Sequence, residues 1–323
     1  MRVLAIGGTG FVGRSAVQAL QDHGHDVWTL ARSPAEGQHL VGDRSRRGGL
    51  ADAIAGRSWD AVVDLAAYQP WEMQEAVEVF SGSLSRYVFV SSGAVYAGAA
   101  GSAEDGAPIP DGEPPSEELD YAEGKRWCEA VLARAIAAGF PGVVLRPPAV
   151  LGAGDHTGRI AGYLARVEDG DSLLALQGLA DAEVGVAWSR DVGRVSAQLC
   201  EGAGAESAYN VGFDRLTLRA FLDACAAALS VAPPVIVEVT AEELEQTGLS
   251  LLDVSPYGPR RRTPGGWTIG RARAELSFEP SPLPTALDEC VAWFRERRPP
   301  QHGYERRREE LELAERLTRA SDS

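Results

Sequence analysis

The sequence predicts an α/β fold: a doubly wound parallel sheet with a smaller mixed α/β domain appended. Three observations lead there. Short apolar runs alternate with helical patterns from residue 1 to about 150. The runs are apolar throughout, as strands covered by helices on both faces must be. A glycine-rich turn joins the first run to the first helix.

Taken in order, "RVLAIGG" reads as a buried strand stopped by glycine. "FVGRSAVQALQDHG" has helical spacing and ends on Gly24, a residue suited to a helix C-terminus. "HDVWTLA" is a second strand and "LVGDR" closes a third. "AVVDLAA" and "RYVFVSS" are two more, preceded by the helix candidates "GLADAIAG" and "WEMQEAVEVFSG". The acidic, Pro/Gly-rich stretch "AGSAEDGAPIPDGEPPSEE" is longer than most connections and is expected to be a functional loop. It leads into the long helix "YAEGKRWCEAVLARAIAAG" and the strand "GVVLR". After "RPPAVLG" the rhythm breaks. "EVGVAWSRDVGRVSAQLCEG" followed by "AYNVG" reads as a return to the sheet. The last helix, "YERRREELELAERLTRA", carries only a thin apolar stripe of Leu311, Ala314 and Leu317, which predicts weak docking or fraying.

Composition narrows the functions. The chain has 323 residues and a net charge of -15, which disfavours nucleic acid and anionic membranes as partners. Cys128, Cys200, Cys225 and Cys290 are far apart, and are expected to be buried thiols in a reducing compartment. No signal-like segment or spanning apolar run is present, so a cytoplasmic location is expected. A small-molecule substrate is the expected partner, and a homodimer is open. His23 and His25 lack further ligands nearby, so no metal site is expected.

The turn "GGTGFVG" places Gly7, Gly10 and Gly13 between a strand and a helix. One glycine allows the reversal, one admits a pyrophosphate to the backbone, and one lets helix pack on strand. Thr9, Phe11 and Val12 complete the loop. The pattern reads as a Rossmann-type dinucleotide site; the bland alternative is a glycine turn without ligand. The second strand ends "WTLARS", with Arg32 where NAD-binding chains place a carboxylate, so NADP(H) is the expected cofactor and NAD(H) remains possible. An ordinary surface arginine is the alternative. The dinucleotide-binding domain is expected at 1–150 plus about 184–212. A substrate-binding domain with the C-terminal helix is expected at 151–183 plus 213–323.

"YAEGK" holds the only lysine among 31 basic residues. Tyr121 and Lys125 are four apart on a helix and face one way. A cation lowers a nearby phenol's pKa and suits it to pass a proton. Lysine is a compact point charge, whereas the planar fork of arginine would displace the phenol.

"GGTGFVG", "FVSSGAVYA", "YAEGK" and "LRPPAVLG" together resemble the extended short-chain dehydrogenase/reductase family of NAD(P)-dependent epimerases, dehydratases and reductases. The likeness is strong in the N-terminal half and weak beyond it. It implies Ser92 as the residue orienting substrate oxygen, with Ser91 its bland neighbour, Tyr121 as general acid/base and Lys125 as ribose ligand. It further implies Ala66 and Ala67 beside the cofactor, Pro147 and Val150 near the nicotinamide amide, and Asp43 near adenine. Dehydratases of the family carry an Asp-Glu pair where this chain has Gly93 and Ala94, which argues against elimination. Nucleotide-sugar members tend to carry an arginine where "AEVGVAWSRD", before Asp191, is apolar; Arg190, Arg260, Arg261 and Arg262 are other candidates for anion contacts. Asp155 and His156 either line a cleft or belong to a helix capped by Thr157. The expected function is NADPH-dependent reduction of a carbonyl in a small metabolite. A sugar epimerase is the alternative, and a catalytically silent binding protein on the same fold is the reading of another class.

Overall fold

The computed structural model describes residues 1–99, 101–255 and 266–321. The chain divides into two compact units. The first comprises Met1–Val150, Ser189–Gly212 and Thr268–Glu279, and the second Leu151–Trp188, Phe213–Trp267 and Pro280–Ser323.

In the first unit the predicted alternation is realised as β1 (Arg2–Ile6), α1 (Phe11–Asp22), β2 (Asp26–Ala31), β3 (His39–Val41), α2 (Gly49–Ile54), β4 (Ala61–Asp64), α3 (Pro70–Phe80), β5 (Arg86–Val90), α4 (Tyr121–Ala137) and β6 (Gly142–Arg146). Strand Ala208–Asn210 completes a seven-stranded sheet in the order Ala208–Asn210, β6, β5, β4, β1, β2, β3. Every pairing is parallel. This is the Rossmann-type sheet that the sequence predicts. Its strands are fully buried at the centre because helices cover both faces: Val3, Leu4, Ala5 and Ile6 expose nothing, nor do Val62, Val63 and Phe89. The strand order reverses between β1 and β4. At such a switch point the loops leaving the carboxyl ends diverge and open a crevice for a ligand. Helix Ser189–Cys200 packs on α1 so closely that a side chain at Gly193 would strike the Ser15 carbonyl.

Residues 184–188 and 268–279 fall on the opposite sides of the division from where the sequence reading drew it. For the second segment the cause is visible. Arg271 donates to the Ala208 carbonyl at 3.1 Å, and the Tyr209 hydroxyl donates to Glu275 at 2.5 Å. These bonds fasten helix Gly270–Leu276 to the last strand of the sheet.

The second unit contains helices Arg159–Glu168, Leu218–Leu229 and Leu283–Arg297 and a parallel pair of strands, Leu173–Leu176 with Ile236–Val239. The C-terminal helix, Arg307–Ser321, corrects the sequence expectation. It docks through Leu313 and Ala314, which join the core of Leu174, Val239, Leu244 and Val254. A fully buried ion pair, Arg166 to Glu310 at 2.9 Å, fixes it further. The stripe reading failed because the polar Glu310 is one of the buried positions. Thr157 does not cap helix Arg159–Glu168; the Asp155 carboxylate accepts from the amides of Thr157 and Ile160 instead. All four cysteines are buried free thiols. Among the described residues no helix is long and apolar enough to cross a membrane. Arg260, Arg261 and Arg262 lie outside the described residues.

Candidate active site

The glycine loop leaves the carboxyl end of β1. Gly7 takes φ of 79°, a left-handed conformation that glycine adopts without strain, and its amide donates to the Leu30 carbonyl at 2.9 Å. A side chain at Gly13 would strike the Gly7 carbonyl and the Gly8 backbone, so only glycine lets α1 close on the turn. Gly10 caps α1 and has no side chain to accept from the first-turn amides, and that turn carries no acidic residue. Thr9, Phe11 and Val12 complete this turn. A helix N-terminus presented in this way fits a pyrophosphate group. Ala66, after β4, comes within 3.2 Å of where a Gly7 side chain would begin, and Ala67 is fully buried behind it. These loops form the cradle that a dinucleotide requires, and the residues present fit that group.

At its rim Arg32 is exposed immediately after β2. Asp43 is exposed after β3, and its Oδ1 accepts from the Ser45 hydroxyl at 2.6 Å and amide at 3.0 Å. The Ser45 hydroxyl above all holds the Asp43 carboxyl below the usual carboxylate range; desolvation opposes it, and the Ser45 amide and the charges of Arg32 and Arg46 add to it. Arg32 and Asp43 therefore share one electrostatic neighbourhood.

The residues expected to be reactive gather around the start of α4. Asp120 caps this helix through the Glu123 amide at 2.9 Å. Tyr121, its first residue, is 53% exposed, whereas Lys125 one turn later is only 1% exposed. The Lys125 ammonium donates to the Val90 carbonyl at 3.1 Å and lies 6.0 Å from the Tyr121 ring centroid. Burial lowers its pKa from 10.5 to about 8, against the raising influence of Cys128, Asp64 and Glu129. Ser92 follows Val90 by two residues. Its Oγ accepts from the Ala94 amide at 3.1 Å, which leaves its proton available to a substrate oxygen. Ser91 instead turns inward and donates to the buried Glu129 at 2.5 Å. The neighbouring Gly93 amide donates to the Pro147 carbonyl at 2.7 Å, joining the loops after β5 and β6; Val150 is half-buried further along.

Several residues that position this cluster were missed from the sequence. The Gln69 amide side chain makes two bonds with the Leu119 backbone, at 3.0 and 3.1 Å, and so fixes the approach to Tyr121. Arg126 donates to the Val95 carbonyl at 2.9 Å and also to that of Ala97, tying α4 to the turn that Ser92 caps. Asp64, fully buried at the end of β4, pairs with Arg44 and accepts from the Tyr87 hydroxyl at 2.5 Å. Burial opposes its ionisation, but Arg44, Tyr87 and the Ala66 amide outweigh that, and its pKa is lowered. Only "QPWE" carried a readable signal, with proline and glutamate in the first turn after Gln69. Elsewhere in this unit His23 and His25 both meet Glu201, at 2.9 and 3.1 Å. Asp191 pairs with Arg194, and Arg190 is exposed beside it.

A sequence model of the NAD dependent epimerase/dehydratase family matches residues 3–212. The chain belongs to that family of NAD-dependent enzymes. No curated protein matches the chain significantly. Among solved structures, a Thermus thermophilus UDP-glucose 4-epimerase in complex with NAD is 23% identical, covers 92% of this chain and 100% of its own, and has a TM-score of 0.66. A Bacillus cereus UDP-N-acetylglucosamine 4-epimerase is 17% identical over 91% of this chain and 96% of its own, at 0.65. A Bacillus anthracis dTDP-glucose 4,6-dehydratase in complex with NAD is 15% identical over 92% and 97%, at 0.66. At these identities the likeness is one of fold.

Proposed function

We propose that this family member reduces a ketone or aldehyde of a small, non-nucleotide metabolite, with NADPH preferred over NADH. The observation that carries the reading is Tyr121, a solvent-facing phenol one helical turn from the buried Lys125 ammonium, which lies 6.0 Å from its ring centroid. The bound cofactor supplies the hydride. Ser92 donates a hydrogen bond to the substrate oxygen and orients it. Tyr121 gives its phenolic proton to that oxygen as negative charge develops there. Lys125 stabilises the resulting phenolate, and its three donors suit ribose hydroxyls as well. Gly93 and Ala94 offer no carboxylate for elimination, which disfavours dehydration. Arg32, exposed after β2, is the motive for NADPH. The Asp43 carboxylate close by competes for its charge, so the preference is expected to be modest.

Epimerisation is the second reading. It is favoured by the family description and by the names of two structural neighbours. It uses the same three side chains but returns the hydride to the opposite face of a transient ketone. Stereospecifically deuterated NADPH separates the two. Deuterium in the product with matching NADP+ release is the expected result; isomerised product without net cofactor consumption would establish the epimerase. Tyr121→Phe should lower turnover by about 10²- to 10⁴-fold while cofactor binding survives.

A further inference from the structure

Tyr68 is 45% exposed, large and aromatic, and neither the core nor the proton relay has used it. It follows β4 and is held there. Its amide donates to Glu72 at 2.6 Å, and Gly124 passes so close to its carbonyl that a side chain at Gly124 would collide with it. Its ring lies 6.1 Å from that of Tyr121 at 43°. The Lys125 ammonium sits 4.7 Å from the Tyr68 ring centroid and 4.7 Å from that of Phe89 on β5. Among the described residues it has no carboxylate ion-pair partner.

We infer that Tyr68 is a positioning residue of this site: with Phe89 it forms an aromatic cradle that fixes the Lys125 ammonium and keeps it charged without an ion pair. The inference rests on the reading of Tyr121 and Lys125 as the proton-handling pair. The negative faces of two rings attract a cation and are not acceptors that could take its proton. A carboxylate in their place would bind the ammonium more tightly and cancel the field that Lys125 exerts on Tyr121. The groups that face the ammonium are Cys128 and Glu129 from its own helix, Asp64 from the end of β4, Arg44 from the loop after β3, and the two phenols. Asp64 is already engaged by Arg44 and Tyr87, Glu129 by Arg146 and Ser91, and burial keeps the Cys128 thiol protonated, so the two rings act on the ammonium beside the Val90 carbonyl. Burial, then the charges of Tyr121 and Asp64, raises the Tyr68 pKa. Tyr68 therefore stays neutral and acts as a ring face while Tyr121 handles the proton.

The lone lysine makes the test direct. Lysine labelled with carbon-13 at Cε gives one side-chain resonance, whose titration reports Lys125 without any substrate. Tyr68→Leu, which keeps an apolar side chain but removes the π face, should lower that pKa by about half a unit to one unit. The Lys125-dependent limb of the kcat profile should shift to lower pH by the same amount. Tyr68→Phe retains the ring and should keep the wild-type titration. Should Tyr68→Leu fail to fold, Phe89→Leu removes the other face and is expected to move the resonance in the same direction. An unmoved resonance in whichever of these leucine variants folds, or a Tyr68→Phe titration displaced as far as that of the leucine variant, overturns the cradle. Retained turnover in Tyr121→Phe would sink the proton relay instead, and the resonance would still decide the cradle on its own.

Discussion

Two regions of the molecule bury a cation completely and do so in opposite ways. In the second unit Arg166 is 0% exposed and bonds through every nitrogen of its fork: Nε to Glu310 at 2.9 Å, Nη1 to the carbonyls of Gly162 and His302, Nη2 to that of Asp253 at 2.7 Å. In the first unit Lys125 has one carbonyl and two ring faces. Arg146 follows the Arg166 pattern, clamped by Glu129 and the Tyr96 hydroxyl. The difference teaches how to tell a cation that holds a structure together from one that, under the proposed function, is kept available for chemistry. A guanidinium bonded at every nitrogen cross-links elements and is committed to that role. A cation denied a counter-charge pays a desolvation penalty, and its field remains directed at whatever lies nearby.

The largest expected effect tests the Lys125 half of the comparison. Lys125→Arg preserves charge but brings a planar fork into a pocket with one carbonyl acceptor. Turnover should fall by at least about 100-fold, comparable to losing the phenol. Near-normal steady-state rates would mean that the shape of lysine is irrelevant there. The Arg166 half predicts a loss of stability. Glu310→Ala strands a buried guanidinium, and urea unfolding should show about 3–5 kcal/mol less stability. A variant as stable as wild type would show that the C-terminal helix does not need its ion pair.

Stability and pH then sharpen the contrast. The folded-state pKa of Lys125, about 8, lies below the ordinary 10.5. The unfolded chain therefore holds that proton more tightly than the folded one. Its penalty is complete below the folded value and is relieved as pH rises from about 8 towards 10.5. Lys125→Met should accordingly stabilise the protein at neutral pH by about 1–3 kcal/mol while abolishing turnover. The gain should fade in alkaline solution, measured as the difference in unfolding free energy between the two proteins across that range. Equal stabilities at neutral pH would show that the ammonium is not strained. The smallest effect concerns a cation at the surface. Arg32→Asp should cost NADPH roughly ten- to a hundredfold in affinity, with NADH little affected. Calorimetry that finds both cofactors bound equally, before and after the change, would remove Arg32 from the site.

Much of this was legible because local rules sufficed. The apolar runs became strands of the sheet, and "GGTGFVG" became the turn at the end of β1, since glycine spacing and apolar patterning report backbone geometry directly. The spacing of "YAEGK" put Tyr121 and Lys125 on one side of a helix, since a turn of helix is nearly four residues long. Glu310 defeated the same logic, because a buried carboxylate is indistinguishable from a surface one until its arginine, 144 positions away, is brought to it.

The sequence by itself thus determined the sheet, the glycine turn, the Tyr-Lys pair and the family likeness, each written within a span of a few residues. Only the tertiary structure decided which of two adjacent serines faces inward. Successive side chains leave an extended segment on opposite sides, so one of the pair had to turn inward, but it took Glu129 on α4 to make that one Ser91. Nor could the chain announce that Tyr68 and Phe89 would close over Lys125, residues 57 and 36 positions before it. Contacts between distant segments exist only once the strands have set the distances between the loops they carry.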